Sequence, residues 1–277
     1  MKRLLIVVAL ILTVLTACGK NTAKENETDN KAGGLEEDNK IVIGVSPVPH
    51  EEIIEHLKPE FEKEGLDVEV VTFEDYVQPN LQLSAGDIDA NFFQHLPYLE
   101  EFTEERDIDN IVNIGLVHLE PIAFYSKQIE SIDQVPEGGE IIIPNDATNG
   151  ARALILLEDA GLIKLADRNN LKSTEKDIVE NPKNLKFIAM DAPNIPRAYA
   201  EATGAVINSN YAIGAGINPI EEALQTESID SPYGNLVAIR KEDEGKEKFK
   251  KFMEILQSEE TKTFIEEKYK GAIIPAF

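Results

Sequence analysis

The sequence contains one cysteine and no tryptophan in 277 residues. A single cysteine cannot form an internal disulfide and excludes a cysteine-rich zinc or iron–sulfur centre. Any aromatic pocket must therefore be built from phenylalanine and tyrosine. Basic residues are also scarce, with 27 Lys and Arg against 51 Asp and Glu and a net charge of −24. Because nucleic acids and anionic headgroups repel such a chain, we expect no nucleic-acid partner.

The one strongly apolar run lies at the N-terminus and is too short to span a membrane as a helix. Lys2 and Arg3 precede residues 4–15, which are apolar apart from Thr13. This pattern is typical of a signal peptide. The run ends in Leu-Thr-Ala-Cys at Cys18, which resembles the bacterial lipobox, although a plain signal peptide with an incidental cysteine is the alternative. We expect a signal peptide over 1–17, diacylglycerol carrying palmitate on Cys18, and a flexible tether over 18–40. The protein would then be lipid-anchored on the extracytoplasmic face of the cell membrane.

Motifs for catalysis and metal binding are missing or have the wrong spacing. His50 and His56 flank acidic residues, but they are six apart, whereas a zinc-binding helix needs histidines four apart. The sequence has no serine-nucleophile elbow and no glycine-rich phosphate loop. Asp87 and Asp89 could bind a cation or act in acid–base catalysis, but a turn before a strand explains them more simply. We therefore expect no catalytic residue, no metal and no cofactor.

Strand and helix patterns alternate along the rest of the chain, which predicts an α/β fold with mixed, mostly parallel sheets flanked by helices. The length favours two lobes, and we expect crossovers near Pro121 and Pro232. Lobe 1 would then contain residues 41–121 and 233–277, and lobe 2 residues 122–232. Pro59 is expected to kink or split the helix over 50–64. Strands are predicted at 41–45, 68–73, 111–117, 122–125, 141–143, 185–189, 205–208 and 236–239. Further helices are predicted at 96–105, 150–160, 249–256 and 261–269.

Aromatic and imidazole rings are concentrated in residues 92–98, a segment that includes Phe93, His95 and Tyr98. Core packing is one interpretation. The other is an aromatic wall for an apolar, polarizable side chain, because a thioether gains about 0.3–1.5 kcal/mol from each good contact with a ring.

A strand-to-helix turn over 144–152 contains Asn149, Gly150 and Arg152. In α/β folds ligands bind where strands end and helices begin, and free N–H groups there attract anions. Arg152 would add paired donors that match a carboxylate. An arginine on a solvated helix face is the alternative, but the next residues are almost all apolar, which favours a buried partner.

Two further segments place asparagine near a strand end or a crossover: Asn208 and Asn210 in one, Asn235 in the other. An asparagine side chain can accept from an ammonium and donate to a carboxylate. Asparagine that merely forms a turn is the equal alternative.

Taken together, these segments resemble the NlpA/MetQ family of methionine-binding lipoproteins, the substrate-binding component of a methionine ABC importer. The resemblance covers nearly all of the chain after the tether. It rests on YVQPN at 76–80, GDIDANFFQH at 86–95, EP at 120–121, PND at 144–146, NGARA at 149–153, VENP at 179–182, INSNY at 207–211 and SPY at 231–233.

The resemblance implies a two-lobed periplasmic-binding-protein fold of type II that closes over L-methionine, D-methionine or a derivative. It implies as partners an ABC permease and its cytosolic ATPase, with no cofactor and no chemistry. Ala151 and Ser209 stand where the commoner family pattern has glycine, and either Asn208 or Asn210 would face the ligand. The implied contacts are Tyr76, Phe93, His95 and Tyr98 around the side chain, Arg152 at the carboxylate, and Asn208 and Asn235 at the ammonium.

A second hypothesis belongs to a different class, a lipid-anchored hydrolase of a small amino-acid-like substrate that uses Asp87, Asp89 or His95. Such an enzyme needs a nucleophile–base pair or a metal. The sequence suggests neither, which favours the binding protein.

Overall fold

The computed structural model describes residues 39–277, in which strands and helices alternate as the sequence predicts. Its strands are β1 Lys40–Val45, β2 Asp67–Thr72, β3 Ala90–His95, β4 Ile111–Leu119, β5 Ala123–Tyr125, β6 Glu140–Pro144, β7 Lys164–Leu165, β8 Ile178–Glu180, β9 Lys186–Met190, β10 Gly204–Ile207, β11 Gln225–Thr226, β12 Gly234–Arg240 and β13 Ile274–Pro275. Its helices are α1 Glu52–Lys63, α2 Gln78–Ala85, α3 Leu96–Glu105, α4 Ala147–Asp159, α5 Ile195–Ala198, α6 Ser209–Gly214, α7 Pro219–Glu222, α8 Glu247–Leu256 and α9 Glu259–Tyr269. None of the helices within 39–277 is long and apolar enough to cross a membrane.

Two larger sheets organise the fold. The first has the strand order β13–β4–β12–β3–β1–β2, and the second has the order β11–β5–β10–β6–β9. The chain leaves the first sheet after β4, builds the second, and returns to the first at β12. The fold is therefore two-lobed, with the beginning and the end of the described chain in one sheet. The lobe boundaries expected at 121/122 and 232/233 stay a prediction.

Both sheets are mixed, as predicted, but antiparallel pairs are more numerous than the sequence led us to expect. In the first sheet β1 pairs in parallel with β2 and β3, whereas β12 runs antiparallel to β3 and β4. In the second sheet β6 pairs in parallel with β9 and β10, and β5 runs antiparallel to β10 and β11. The expectation of mostly parallel pairing was wrong for the strands that follow the crossovers. Strands β5 and β12 enter their sheets from the other lobe and run against their neighbours.

Helix α1 continues through Pro59, so the predicted kink did not divide it. Proline removes one backbone N–H from the helix, but the burial of apolar side chains on the inner face offsets the free-energy cost. Ile53, Ile54 and Leu57 are fully buried, and Phe61 is nearly so. Replacing one such side chain by alanine typically costs about 2–5 kcal/mol, comparable to the cost of an interior proline.

A buried amide network joins α2 to β3, and the sequence analysis missed this helix. Asn80 Nδ2 donates to Gln94 Oε1 at 2.8 Å, and Asn91 Nδ2 and Gln94 Nε2 each donate to Asn80 Oδ1 at 2.8 Å. Gln94 Nε2 also donates to Asn91 Oδ1 at 2.9 Å. Gly86, at φ +85°, ends α2 in the left-handed conformation that glycine adopts easily. The network fixes the strand that carries the aromatic cluster.

Candidate functional site

Residues of the first sheet and of helices α4 and α6, which follow strands of the second sheet, meet around a cavity of about 340 Å³, a volume that includes its opening to solvent. Every ligand contact expected from the sequence lies in its wall. The lining consists of Tyr76, Phe93, Gln94, His95, Tyr98, Glu120, Asn149, Arg152, Asn208, Ser209, Asn210 and Asn235.

A β-bulge explains why consecutive residues of β3 line this cavity. Gln94 pairs with Leu236 of β12 and Phe92 with Val237, so Phe93 between them has no partner in that strand. A bulge bends the strand and redirects side chains that would otherwise alternate between its two faces. Phe93 and His95 therefore reach the cavity together with Gln94.

Three aromatic rings form the apolar side of the cavity. The Tyr76 centroid lies 5.9 Å from that of Phe93 and 5.9 Å from that of Tyr98, and the Phe93 and Tyr98 centroids are 6.1 Å apart. Tyr98 Oη donates to the carbonyl of Tyr76 at 2.9 Å. This hydrogen bond fixes the Tyr98 ring relative to the backbone of Tyr76.

His95 is a neutral hydrogen-bonding group at the end of β3. Its Nδ1 accepts from the backbone N–H of Tyr98 at 3.1 Å, so Nε2 carries the proton and faces Asn149 Oδ1 at 3.3 Å. Burial lowers the pKa of His95 to about 3, and the nearby charge of Arg152 acts in the same direction. His95 therefore stays uncharged near neutral pH.

Helix α4 begins earlier than predicted, and this changes the proposed anion site. Asp146 is the N-cap: its Oδ1 accepts from the backbone N–H of Asn149 at 2.9 Å. The N–H of Gly150 donates to the carbonyl of Asp146 at 2.8 Å. The free N–H groups expected at this turn are therefore occupied, because an acidic residue already caps the helix.

Arg152 is 3 % exposed and has a protein carboxylate as its partner. Its Nε donates to Glu227 Oε1 at 2.9 Å and its Nη2 to Glu227 Oε2 at 2.5 Å, while Nη2 also donates to the carbonyl of Glu120 at 2.8 Å. The guanidinium lies over the ring of Tyr233, 4.4 Å from its centroid. Burial alone would lower the pKa of Arg152, but the charge and hydrogen bonds of Glu227 raise it. The sequence predicted a buried partner for Arg152 but not Glu227, which lies 75 residues further along the chain.

The asparagines at the cavity differ in what they leave unpaired. Asn208 Nδ2 donates to Asn149 Oδ1 at 2.8 Å, while Asn208 Oδ1 is buried with no partner among the described residues. Asn210 Oδ1 accepts from Tyr76 Oη at 2.6 Å. Asn235 Oδ1 faces His50 Nε2 at 3.0 Å. Asn208 is therefore the one of these three with an unpaired buried acceptor.

A buried group of His50, His118 and Glu120 lies behind this wall, and the sequence analysis missed it. The potential ligand atoms of these three residues lie within 4.8 Å of one another. His118 and Glu120 are separated by one residue in strand-like sequence, which gives little signal. His50 comes from a distant segment that only the fold brings near.

The remaining candidates lie elsewhere. Asp89 Oδ2 accepts from the backbone N–H of Val42 at 2.9 Å, and its Oδ1 pairs with Arg240 at 3.2 Å. Asp87 is exposed. Neither Asp87 nor Asp89 lines the cavity, so both are explained as residues of the turn that precedes strand β3. Cys18, the signal peptide and nearly all of the tether lie outside the described residues.

Two lobes with a small-molecule cavity lined by residues from both of them define the class of substrate-binding proteins. The family model described as NlpA lipoprotein matches residues 41–277, and the chain belongs to that family. The chain is 46% identical over 225 residues to the D-methionine-binding lipoprotein MetQ of Salmonella typhi, covering 80% of this chain and 83% of the relative. It is 39% identical over 266 residues to the methionine-binding lipoprotein MetQ of Bacillus subtilis, covering 95% and 93%. A nutrient binding protein from Burkholderia cenocepacia, solved bound to methionine, superposes with a TM-score of 0.82 at 42% identity and covers 86% of this chain and 100% of that one.

Proposed function

We propose that this protein is an extracytoplasmic, lipid-anchored receptor that captures methionine and delivers it to the permease of an ABC importer. The observation that carries the proposal is one cavity with three aromatic rings on one side and Arg152 and Asn208 on the other. The methionine ligand of the Burkholderia relative supports the same substrate class.

The aromatic side suits the ligand's thioether. Tyr76, Phe93 and Tyr98 offer polarizable surfaces, and their centroids are 5.9–6.1 Å apart. Sulfur–ring contacts form at centroid distances near 5 Å and often at the ring edge. Neutral His95 contributes packing beside them without adding charge.

The polar side suits a zwitterionic amino acid. Nε and Nη2 of Arg152 are used by Glu227, so Nη1 is the edge of the guanidinium that we assign to the ligand carboxylate. The unpaired Oδ1 of Asn208 is an acceptor for the α-ammonium. Because Asn235 Oδ1 faces His50, its amide nitrogen is the group left for the ligand. This favours donation to the carboxylate over the ammonium contact that the family resemblance implied.

The anchor and the transport partner come from the sequence and the family. The lipid on Cys18 would hold the protein at the membrane, where a permease with its cytosolic ATPase would receive the ligand. Relatives are named both for methionine and for D-methionine. We propose methionine as the substrate in either enantiomer, with no catalytic step and no cofactor. The hydrolase alternative loses its candidates, because Asp87 and Asp89 lie away from the cavity and His95 is held in a hydrogen-bonded, neutral form.

Calorimetric titration tests the binding step. The protein is unfolded to release retained ligand, refolded, and titrated with L-methionine, D-methionine and leucine. We expect saturable binding of at least one methionine enantiomer and much weaker binding of leucine. Absence of binding by a refolded protein with native circular dichroism would refute the proposal. Mass spectrometry of the ligand released from freshly purified protein provides an independent identification.

Uptake of labelled methionine tests the transport step. Deleting the gene in a strain without a paralogue should reduce uptake, and unchanged uptake would contradict the assignment to an importer.

A further inference from the structure

Glu120 is a buried carboxylate in the cavity wall, held from behind by two imidazoles. His118 Nε2 lies 2.8 Å and His50 Nε2 3.2 Å from the same oxygen, Oε1. The side chains of His118 and His50 are 0% and 1% exposed, and that of Glu120 is 7% exposed. Glu120 is thus the member of this buried group that reaches the cavity.

The hydrogen bonds define the protonation of the two imidazoles. Burial lowers the pKa of His50 to about 4 and that of His118 to about 3, so both are neutral near pH 7. His118 Nε2 faces Glu120 Oε1 at 2.8 Å, and His50 Nε2 faces Asn235 Oδ1 at 3.0 Å beside the same carboxylate, so each Nε2 carries the proton. The Nδ1 atoms of both rings, which have no partner within residues 39–277, are then bare acceptors. A metal on the Nε2 atoms would instead leave two buried Nδ1–H donors without the hydrogen-bond partner that metal-binding histidines usually have. The arrangement fits one N–H donor to the carboxylate, from His118, with the N–H of His50 beside it and directed to Asn235.

Glu120 brings a charge to the cavity that the protein does not balance. The charged side chains in the lining are Glu120 and Arg152. Arg152 is already matched by the two oxygens of Glu227. Burial raises the pKa of Glu120, and His50, Arg152 and the Asn210 backbone N–H offset this only in part. A cation placed in the cavity would stabilise the charged form of Glu120.

The unpaired Oδ1 of Asn208 gives independent evidence for a donor at the same wall. Asn208 is 7% exposed and its Nδ2 is held by Asn149, so Oδ1 cannot be satisfied by turning the amide over without losing that bond. A carboxylate whose Oε1 accepts from His118 also keeps acceptor capacity on its second oxygen. Glu120 and Asn208 together offer acceptors to a group that has several donors.

We propose that Glu120 is the counter-ion of the ligand's α-ammonium and that, with Asn208 Oδ1, it restricts the site to ligands carrying a protonated amine. This inference rests on the proposed function and adds a residue that determines specificity. His50 and His118 are positioning residues in it, because they act on the ligand only through Glu120.

The test compares methionine with its α-hydroxy analogue, which has nearly the same shape but no positive charge. Both ligands are titrated calorimetrically into ligand-stripped wild type, Glu120→Gln, Glu120→Asp and Asp243→Asn. Asp243 is the matched control, because it is a buried acid paired with Arg240 and Lys246 and is not part of the cavity. Circular dichroism checks the fold of each variant.

We expect wild type to prefer methionine by about 30-fold or more, the factor that corresponds to breaking a buried charged pair. Glu120→Gln should lose at least about 10-fold of this preference by weakening methionine more than the analogue. Glu120→Asp, which keeps the charge, should retain more of the preference, and Asp243→Asn should retain all of it.

Each unfavourable outcome has a distinct meaning. If Glu120→Gln weakens both ligands equally, Glu120 is structural and the inference is wrong. If wild type binds the hydroxy analogue as tightly as methionine, the inference is wrong even if the glutamine variant does not fold. If wild type binds neither ligand, the proposed function itself fails.

Discussion

Arg152 of the cavity wall and the part-buried Glu227 form a two-pronged ion pair, with Nε–Oε1 and Nη2–Oε2 distances of 2.9 and 2.5 Å. Their side chains are 3% and 12% exposed. A guanidinium whose Nε and Nη2 are both hydrogen-bonded cannot rotate freely, so its third nitrogen, Nη1, points in a fixed direction. Arg152 therefore has two roles, one in the stability of the fold and one in ligand binding. Replacing Arg152 alone would affect both, so a second substitution at Glu227 is needed to distinguish them.

Arg152→Ala should lower the free energy of unfolding by up to about 3 kcal/mol, because it leaves the part-buried Glu227 with only the backbone N–H of Ile122 as a partner. Methionine binding should also be lost. The double variant Arg152→Ala, Glu227→Gln should recover much of the stability but none of the binding. Urea denaturation and calorimetric titration of ligand-stripped protein measure the two effects. Recovery of binding in the double variant would show that the ligand carboxylate is held elsewhere.

Norleucine, in which a methylene replaces sulfur, should bind more weakly than methionine by about 0.3–1.5 kcal/mol for each ring that the sulfur touches. The difference should shrink in Phe93→Leu, because one ring of the apolar side is gone. Phe264→Leu, which changes a ring that stacks on His56 away from the cavity, is the matched control. Competition calorimetry supplies the affinities, and equal binding of both ligands to wild type would remove the sulfur argument.

Asn208→Ala should weaken methionine binding by about 1.5–3 kcal/mol, the usual value of a hydrogen bond to a charged group. Asn210→Ala should have a smaller effect, because its Oδ1 already accepts from Tyr76 at 2.6 Å. Calorimetry on both variants decides which asparagine faces the ligand. A larger loss for Asn210 than for Asn208 would reverse the assignment.

Acid should destabilise the fold through its buried imidazoles. Burial lowers the pKa of His50 to about 4, and those of His95 and His118 to about 3. The unfolded chain protonates these rings below about pH 6.5, whereas the folded chain does not. The free energy of unfolding should therefore fall as the pH drops from about 6.5 towards 4, by up to about 1.4 kcal/mol per pH unit for each ring. The raised pKa of Glu120 opposes this trend in part.

Urea denaturation across this pH range checks the sign, and the slope should be smaller in His118→Gln. His56→Gln, a change at an exposed position of α1, is the matched control. A slope in His118→Gln as steep as in wild type would contradict the assignment to the buried ring.

Cys18→Ala should release the protein from the membrane fraction, because Cys18 is the lone cysteine and ends a lipobox-like sequence. Fractionation with immunoblotting and metabolic fatty-acid labelling measure anchoring and lipidation. Incorporation of labelled fatty acid into the alanine variant would show that the anchor is attached elsewhere.

Local sequence patterns predicted much of the fold. Residues 96–105 were predicted as a helix and form α3 with the same bounds, because apolar spacing and the preceding imidazole cap both act locally. Helix α2 was missed, since its inner face consists of Pro79, Asn80 and Leu83 rather than an apolar stripe. The stabilising amide network depends on partners in β3, which no local pattern reveals.

The candidate site likewise contains residues that local sequence patterns could predict and residues that they could not. Phe93 and Arg152 carried local signals, namely a ring cluster and a charge in an apolar helix. Glu227 and His50 carried none, since their partners lie 75 and 185 residues away in the chain, at Arg152 and Asn235. Only the folded chain shows that Nε and Nη2 of Arg152 already donate to Glu227.

The amide network of Asn80, Asn91 and Gln94 has a consequence for how this protein can evolve. Each amide donates to or accepts from the other two, so replacing one by an apolar residue leaves buried polar atoms on both remaining members. Each such atom costs about 1–3 kcal/mol, a large part of the stability of an ordinary domain. Single replacements at these positions should be purged by selection. A descendant protein with other residues at these three positions would have to acquire several substitutions together. Ligand preference could therefore change more easily in evolution than the structure of strand β3, which carries the cavity residues.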